Sequence, residues 1–91
     1  MALLMTDNIR KSRFELVESG ETAYADYRRE DGVLTIKYVF APETLRGTGA
    51  AGRLMNDIAA YARDENLKIV PLCGYAASWL RRHAEYADLI L

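Results

Sequence analysis

The chain has 91 residues, of which 51% are hydrophobic and 27% are charged, so its length and composition predict one globular domain over residues 1–91. Twelve basic residues against thirteen acidic ones argue against a nucleic-acid-binding module, which normally carries a basic excess. One cysteine and one histidine exclude an internal disulfide and predict no metal site. No apolar stretch suits a membrane span or a secretory signal, so we expect a cytoplasmic protein with no membrane partner.

Three strand-like segments come first along the chain. Residues 13–18 and residues 22–28 alternate between apolar and polar side chains, as half-buried strands do. Asp31-Gly32 then tolerates the positive φ angles of a type I′ hairpin turn. Residues 33–40 form the predicted third strand, and Pro42 ends it because proline cannot donate to a ladder. The alternation predicts one shared face for Leu34, Ile36, Tyr38 and Phe40.

The hydrophobic period changes to that of a helix from about residue 47 to residue 66. The apolar run of residues 67–72 predicts a fourth strand, residues 75–84 read as a second helix, and residues 86–91 are expected to be extended. The order β-β-β-α-β-α predicts an α/β (α+β) fold with a mixed sheet. Strands three and four should lie parallel through a right-handed crossover, with the helix N-terminus at the carboxyl end of strand three. Ligands bind at such positions in α/β sheets.

A glycine-rich turn lies at this strand-to-helix junction. Its glycines let backbone N–H groups approach an anion without a side chain in the way, and the helix that follows adds unpaired donors and a positive dipole end. The turn therefore predicts a phosphate or pyrophosphate site. Its residues are Arg46, Gly47, Thr48, Gly49, Ala50, Ala51 and Gly52.

Two familiar phosphate motifs fit this turn poorly. Gly47, Gly49 and Gly52 have the G-x-G-x-x-G spacing, but a Rossmann domain carries this fingerprint after its first strand and an acidic residue after its second. A P-loop would need Lys followed by Ser or Thr where this chain has Arg53-Leu54. A turn that only caps the helix remains an alternative.

The spacing Arg46-x-x-Gly49-x-Ala51 matches the R/Q-x-x-G-x-G/A motif with which GNAT-type N-acetyltransferases bind the pyrophosphate of acetyl-CoA. The chain resembles the minimal GNAT-like N-acetyltransferase domains, which are about as long as this one, over nearly its whole length. Two positions depart from their pattern. Tyr38-Val39 replaces a common His-Thr pair, and Ala84 replaces the proline of a His-Pro-Glu-Tyr segment. Further matches, in chain order, are Arg13-Phe14-Glu15, Ala25-Asp26-Tyr27, Val70-Pro71-x-Cys73 and His83-x-Glu85-Tyr86.

The resemblance implies acetyl-CoA as co-substrate and transfer of its acetyl group to an amine. The acceptor is unidentified and is either a small molecule or a protein or peptide. The resemblance places the pyrophosphate on the glycine turn and the pantetheine arm along the backbone of Val39, Phe40 and Ala41. A non-catalytic CoA-binding module with a regulatory or interaction role is the alternative, because the departure at Tyr38-Val39 removes a histidine.

Two residues after strand four are the candidate catalytic groups. Cys73 matches the cysteine of the late-strand motif and would accept the acetyl group if its thiolate were stabilised; a packed, inert thiol is the alternative. Tyr75 would protonate the departing CoA thiolate, as tyrosines do in larger relatives. Glu43 and His83 are weaker candidates for a base, because each is as readily explained as a surface or packing residue.

Overall fold

A computed structural model describes residues 3–91 as a five-stranded mixed sheet with helices packed against it. Neighbouring strands follow one another in chain order, antiparallel from the first to the fourth and parallel between the fourth and the fifth. Three short 3-10 turns link these elements. The strands are β1 (Thr6–Asn8), β2 (Arg13–Glu18), β3 (Glu21–Glu30), β4 (Val33–Phe40) and β5 (Lys68–Pro71), and the helices are α1 (Ala50–Asp64) and α2 (Gly74–Arg82).

The predicted order of elements is confirmed, with two differences at the ends of the chain. β1 was not predicted, because its three polar residues show no alternation. The prediction that residues 86–91 are extended was wrong for most of that segment. Ala84–Leu89 is a 3-10 turn, and only Ile90 pairs, in parallel, with Ile69 of β5. None of the helices in residues 3–91 is long and apolar enough to cross a membrane.

Both helices cover the same face of the sheet. α1 connects the parallel strands β4 and β5, and α2 leads from β5 towards Ile90 on its far side. Two right-handed crossovers that step in the same direction place their helices on one side. The core lies between this face and the helices. It includes Phe14, Leu16, Ala23, Ala25, Tyr27, Leu34, Ile36 and Ile69 from the strands, and Leu54, Met55, Ile58, Ala59, Ala62, Ala76, Trp79 and Leu80 from the helices.

A β-bulge interrupts the pairing of β3 with β4. Tyr27 pairs with Ile36, whereas the preceding residue Asp26 pairs with Tyr38. Lys37 of β4 therefore has no partner residue in β3. Such an extra residue bends its strand and reverses which side chains face the core beyond it.

The bulge corrects the prediction that Tyr38 and Phe40 share a face with the buried residues of β4. Val39 packs against the core instead, and Tyr38 is 50% exposed. The Phe40 ring stacks on Tyr24 with centroids 5.1 Å apart, on the face away from the helices. The bulge thus turns the end of β4, and the backbone of residues 38–40 with it, relative to the rest of the strand.

Tyr27→Phe is expected to destabilise the protein by about 1–2 kcal/mol near neutral pH. The Tyr27 hydroxyl donates to Asp7 Oδ1 over 2.6 Å and ties β3 to β1 across β2. Burial, followed by the bond to Asp7, raises the pKa of Tyr27 above the ordinary value of 10.0, so its stabilising effect is complete below pH 10 and decreases as the pH rises beyond it. Urea unfolding at pH 7 and pH 10.5 measures both effects. The exposed Tyr38→Phe is the control, and equal pH dependence in Tyr27→Phe and wild type would contradict the assignment.

Candidate functional site

The parallel strands β4 and β5 separate before β4 ends. Their pairing stops at Ile36 and Pro71, and the N–H of Leu72 closes the ladder by donating to the Ile36 carbonyl over 3.0 Å. β4 continues for four more residues with β3 on one side only. Its other edge, at residues 37–40, is therefore a free strand edge whose backbone groups are available to a ligand.

A cavity of about 480 Å³ opens along this free edge. It brings together three predicted features: the end of β4, the glycine turn and Tyr75. Two lining residues, Tyr38 and Leu45, were not predicted, and Thr48 and Cys73 do not line it. The lining consists of Tyr38, Val39, Phe40, Ala41, Leu45, Arg46, Gly47, Gly49, Ala50, Ala51, Gly52 and Tyr75.

The glycine turn owes its shape to two left-handed residues. Gly47 has φ +80° and Gly49 has φ +89°, a region that residues with a Cβ rarely adopt. Thr48 between them stabilises the turn: its hydroxyl donates to the Leu45 carbonyl over 2.6 Å and accepts from the N–H of Ala50 over 3.3 Å. Gly49 is the N-cap of α1, which begins three residues later than the sequence pattern indicated.

Four backbone N–H groups of this turn are uncommitted. The first helical bond of α1 runs from Arg53 N–H to the Gly49 carbonyl over 2.9 Å. No hydrogen bond within residues 3–91 uses the N–H groups of Gly47, Gly49, Ala51 or Gly52. These donors lie at the positive end of the α1 dipole, in the arrangement that binds phosphate groups.

Arg46 adds a positive charge to the same place. Its Nε donates to the Ala41 carbonyl over 3.0 Å, which holds the guanidinium between the end of β4 and the turn, and it forms no ion pair among residues 3–91. Arg53, one helical turn further on, is different. Glu18 neutralises it through two bonds of 2.7 Å. Arg46 is therefore the cation that this turn offers to an anion.

Helices α1 and α2 approach each other at Gly52. A Cβ built on Gly52 would lie 3.6 Å from the indole Nε1 of Trp79 and 3.8 Å from the hydroxyl oxygen of Tyr75. These are ordinary contact distances, so the space at Gly52 admits a methyl group. Neither polar atom has a hydrogen-bond partner within the described part of the chain.

Tyr75 lies in the first turn of α2 and is 39% exposed. Burial raises the pKa of its phenol, the nearby Cys73 adds to the rise, and Arg82 opposes it. The phenol is therefore protonated at neutral pH and is suited to donate a proton or a hydrogen bond into the cavity.

The other candidate catalytic residues lie outside this cavity. Cys73 is the N-cap of α2 and is partly buried against the core. Glu43 is exposed in a 3-10 turn before the glycine turn. His83 ends α2, where its Nδ1–H donates to the Trp79 carbonyl over 2.7 Å and its ring stacks on the indole. Within residues 3–91, no group of three or more metal-ligating side chains comes together.

A family model of GCN5-related N-acetyltransferases matches residues 13–89 of the chain. The chain belongs to the GCN5-related N-acetyltransferase family. The NMR solution structure of a GCN5-like protein from Staphylococcus aureus is similar to this acetyltransferase-family domain, with a TM-score of 0.70 and 22% identity over 100% of this chain and 91% of that one. No curated protein matches the sequence significantly. The predicted family and fold class are thus confirmed.

Proposed function

We propose that this domain is a cytoplasmic enzyme that binds acetyl-CoA and transfers its acetyl group to an amine, without nucleic acid or membrane as a partner. The observation that carries the proposal is the junction of four uncommitted backbone N–H groups and Arg46 with a cavity along a free strand edge. CoA is a ligand with a pyrophosphate at one end of a flexible amide-containing arm. The turn suits the pyrophosphate, and the edge of β4 suits the arm.

The backbone at Val39, Phe40 and Ala41 would hold the pantetheine amides as an added strand would. Such contacts are sequence-tolerant, since they use only main-chain groups. The thioester would then lie in the cavity within reach of Tyr75. A main-chain N–H near Val39 or Phe40 would polarise the thioester carbonyl, a contribution typically worth about 10²–10³ in rate.

The reaction follows from these positions. The neutral amine nitrogen attacks the thioester carbon, a C–N bond forms, and the C–S bond breaks. The amine proton leaves to water, because none of the residues that line the cavity is acidic or a histidine. The departing thiolate takes a proton from the Tyr75 hydroxyl, which water then reprotonates. The acceptor is an amine of a small molecule or of a protein or peptide.

Calorimetric titration of the purified protein with acetyl-CoA tests the proposal. We expect micromolar affinity for acetyl-CoA and much weaker heats with NAD and ATP, since the pantetheine arm distinguishes CoA from both. If acetyl-CoA, NAD and ATP all fail to bind, the glycine turn only caps the helix and the proposal of acetyl transfer has no basis.

One observation favours a second function, a non-catalytic CoA-binding module. The cavity lacks a side chain that could take the proton of the acceptor amine. Release of free CoA from acetyl-CoA, followed with a thiol reagent in the presence and absence of a panel of primary amines, separates the two. Amine-dependent release supports the enzyme, and tight binding without it supports the module.

Cys73→Ala is expected to leave both CoA affinity and acetyl transfer close to the wild-type values. The thiol packs against the core and does not line the cavity, so direct transfer to the amine needs no contribution from it. Steady-state rates and burst kinetics measure the effect. Loss of activity with unchanged affinity would instead identify Cys73 as the nucleophile of a two-step route through an acetyl-thioester on the protein.

A further inference from the structure

Lys37 lies where the free edge of β4 begins. The residue before it, Ile36, is the last in β4 to pair with β5, and the residue after it, Tyr38, lines the cavity proposed for the thioester. The side chain of Lys37 is exposed. Val39 follows two residues later, about 6–7 Å along the strand, and the four-carbon stem of a lysine spans a similar distance. The amine of Lys37 can therefore reach the part of the edge where the thioester would lie.

The β-bulge determines which face of the sheet this lysine occupies. Leu34 and Ile36 are fully buried on the core face, so alternation places Lys37 on the opposite face, away from the helices. Because Lys37 has no partner in β3, Tyr38 lies on that outer face as well, where it is 50% exposed. Val39 then returns to the core. The amine thus approaches the free edge of β4 from the side that the helices leave open.

The Lys37 amine is uncommitted within residues 3–91, where it takes part in no hydrogen bond or ion pair. The neighbouring strand β3 carries two carboxylates on the same outer face, and both are paired. Asp26 accepts from Arg13 Nε over 2.7 Å, and Glu30 lies 3.5 Å from Arg28. Neither carboxylate is therefore left to hold the lysine away from the edge of β4.

The other two lysines of the chain are placed differently. Lys68 begins β5, and its Nζ donates to the Asp88 carbonyl over 2.6 Å. Lys11 is exposed in the 3-10 turn between β1 and β2, and β3 separates β2 from β4. Of the three lysines, Lys37 alone combines an uncommitted amine with a position on the free edge. Lys11 is an exposed amine away from the cavity and serves as an internal reference.

We propose that Lys37 is an internal acetyl acceptor, and that the protein acetylates itself at this lysine when acetyl-CoA is bound without another amine. The neutral Nζ attacks the thioester carbon, a C–N bond forms, and the C–S bond breaks. The amine proton leaves to water, and the CoA thiolate takes a proton as in transfer to an external amine. The product is acetyl-lysine, which carries no positive charge. The proposal rests on the proposed function, because that function supplies the bound thioester.

Mass spectrometry of peptides from protein incubated with acetyl-CoA tests the proposal. Acetylation of Lys37 should be at least about 100-fold faster than that of Lys11, because binding holds the thioester beside the first amine only. An excess of free CoA, which occupies the site without an acetyl group, should slow the reaction at Lys37 and leave Lys11 unchanged. Equal rates at the two lysines, or a rate at Lys37 that free CoA does not affect, would indicate unassisted chemistry and overturn the proposal.

Lys37→Arg and its matched control Lys68→Arg each keep a positive charge and remove one primary amine. Self-acetylation is a single turnover, because the amide does not regenerate the amine. Without an added amine, wild-type protein and Lys68→Arg should therefore release one equivalent of CoA per chain, and Lys37→Arg should release close to none. At saturating acetyl-CoA the rate constant should not change when the protein is diluted. Undiminished release by Lys37→Arg, or a rate constant proportional to protein concentration, would contradict transfer within one chain.

Calorimetric titration of the same protein with acetyl-CoA separates this inference from the proposed function. If acetyl-CoA binds but Lys37 stays unmodified, self-acetylation is wrong, and the transfer to external amines is judged by its own test. If acetyl-CoA does not bind, the proposed function fails and self-acetylation fails with it.

Discussion

Gly52→Ala is expected to lower the affinity for acetyl-CoA by about tenfold or more and at the same time to stabilise the protein. The added methyl group fits the unbound structure, since it meets Trp79 Nε1 and the Tyr75 hydroxyl at ordinary contact distances. In the proposed complex it fills the space through which the phosphate would approach the first turn of α1. Replacing a helical glycine by alanine stabilises by roughly 0.5–1 kcal/mol, equivalent to about 2–8 °C in a domain of this size. Calorimetric titration and thermal unfolding measure the two effects.

The opposite signs of these two effects make the experiment specific. A variant that loses affinity because it is partly unfolded would also lose stability. Gly74→Ala is the matched control, because this glycine begins α2 and a Cβ there meets nothing within 4 Å. It should gain stability and keep affinity. Gly49 is less suitable: its φ of +89° strains any residue with a Cβ, and the new atom would lie 2.9 Å from an Arg53 nitrogen. Unchanged affinity in Gly52→Ala would show that the phosphate does not bind at this turn.

Local chemistry made the glycine turn and the order of the elements predictable. The left-handed residues, the helix N-terminus and the arginine of the turn all lie within seven consecutive positions. The crossover from β4 to β5 follows from a handedness rule that needs only the order of the segments. Both are therefore available in the sequence before any tertiary contact is known.

Features that depend on pairing partners were not predictable. The bulge at Lys37 exists only relative to β3, and alternation alone wrongly placed Tyr38 and Phe40 on the core face. The close approach of Trp79 and Tyr75 to Gly52 depends on how α1 and α2 cross. His83 was considered as a base, but its stacking on Trp79 has only a spacing of four residues as its sequence signal. Such a spacing is common on helices and carries little information alone.

Tyr75→Phe is expected to reduce kcat for acetyl transfer about 100-fold while leaving the affinity for acetyl-CoA and the fold unchanged. The substitution removes only the hydroxyl, which has no partner within residues 3–91, so no contact of the unbound protein is lost. Proton donation to a leaving group typically contributes about 10²–10⁴ in rate. Stopped-flow detection of free thiol measures kcat, and calorimetry measures affinity. Tyr38→Phe, which removes a hydroxyl from the same cavity, is the control and should keep the wild-type rate.

The pH dependence of Tyr75→Phe separates proton donation from simple positioning. Burial raises the pKa of Tyr75 above 10.0, so the wild-type phenol stays protonated over pH 6–9 and the rate should rise with pH as the acceptor amine loses its proton. A falling limb should begin only above pH 10, where the phenol ionises, and Tyr75→Phe should lack it. Tyr75→Phe with a wild-type rate would mean that water protonates the thiolate. A falling limb that persists in this variant would mean that another group supplies the proton. In either case the cavity would still hold acetyl-CoA, but Tyr75 would only line it.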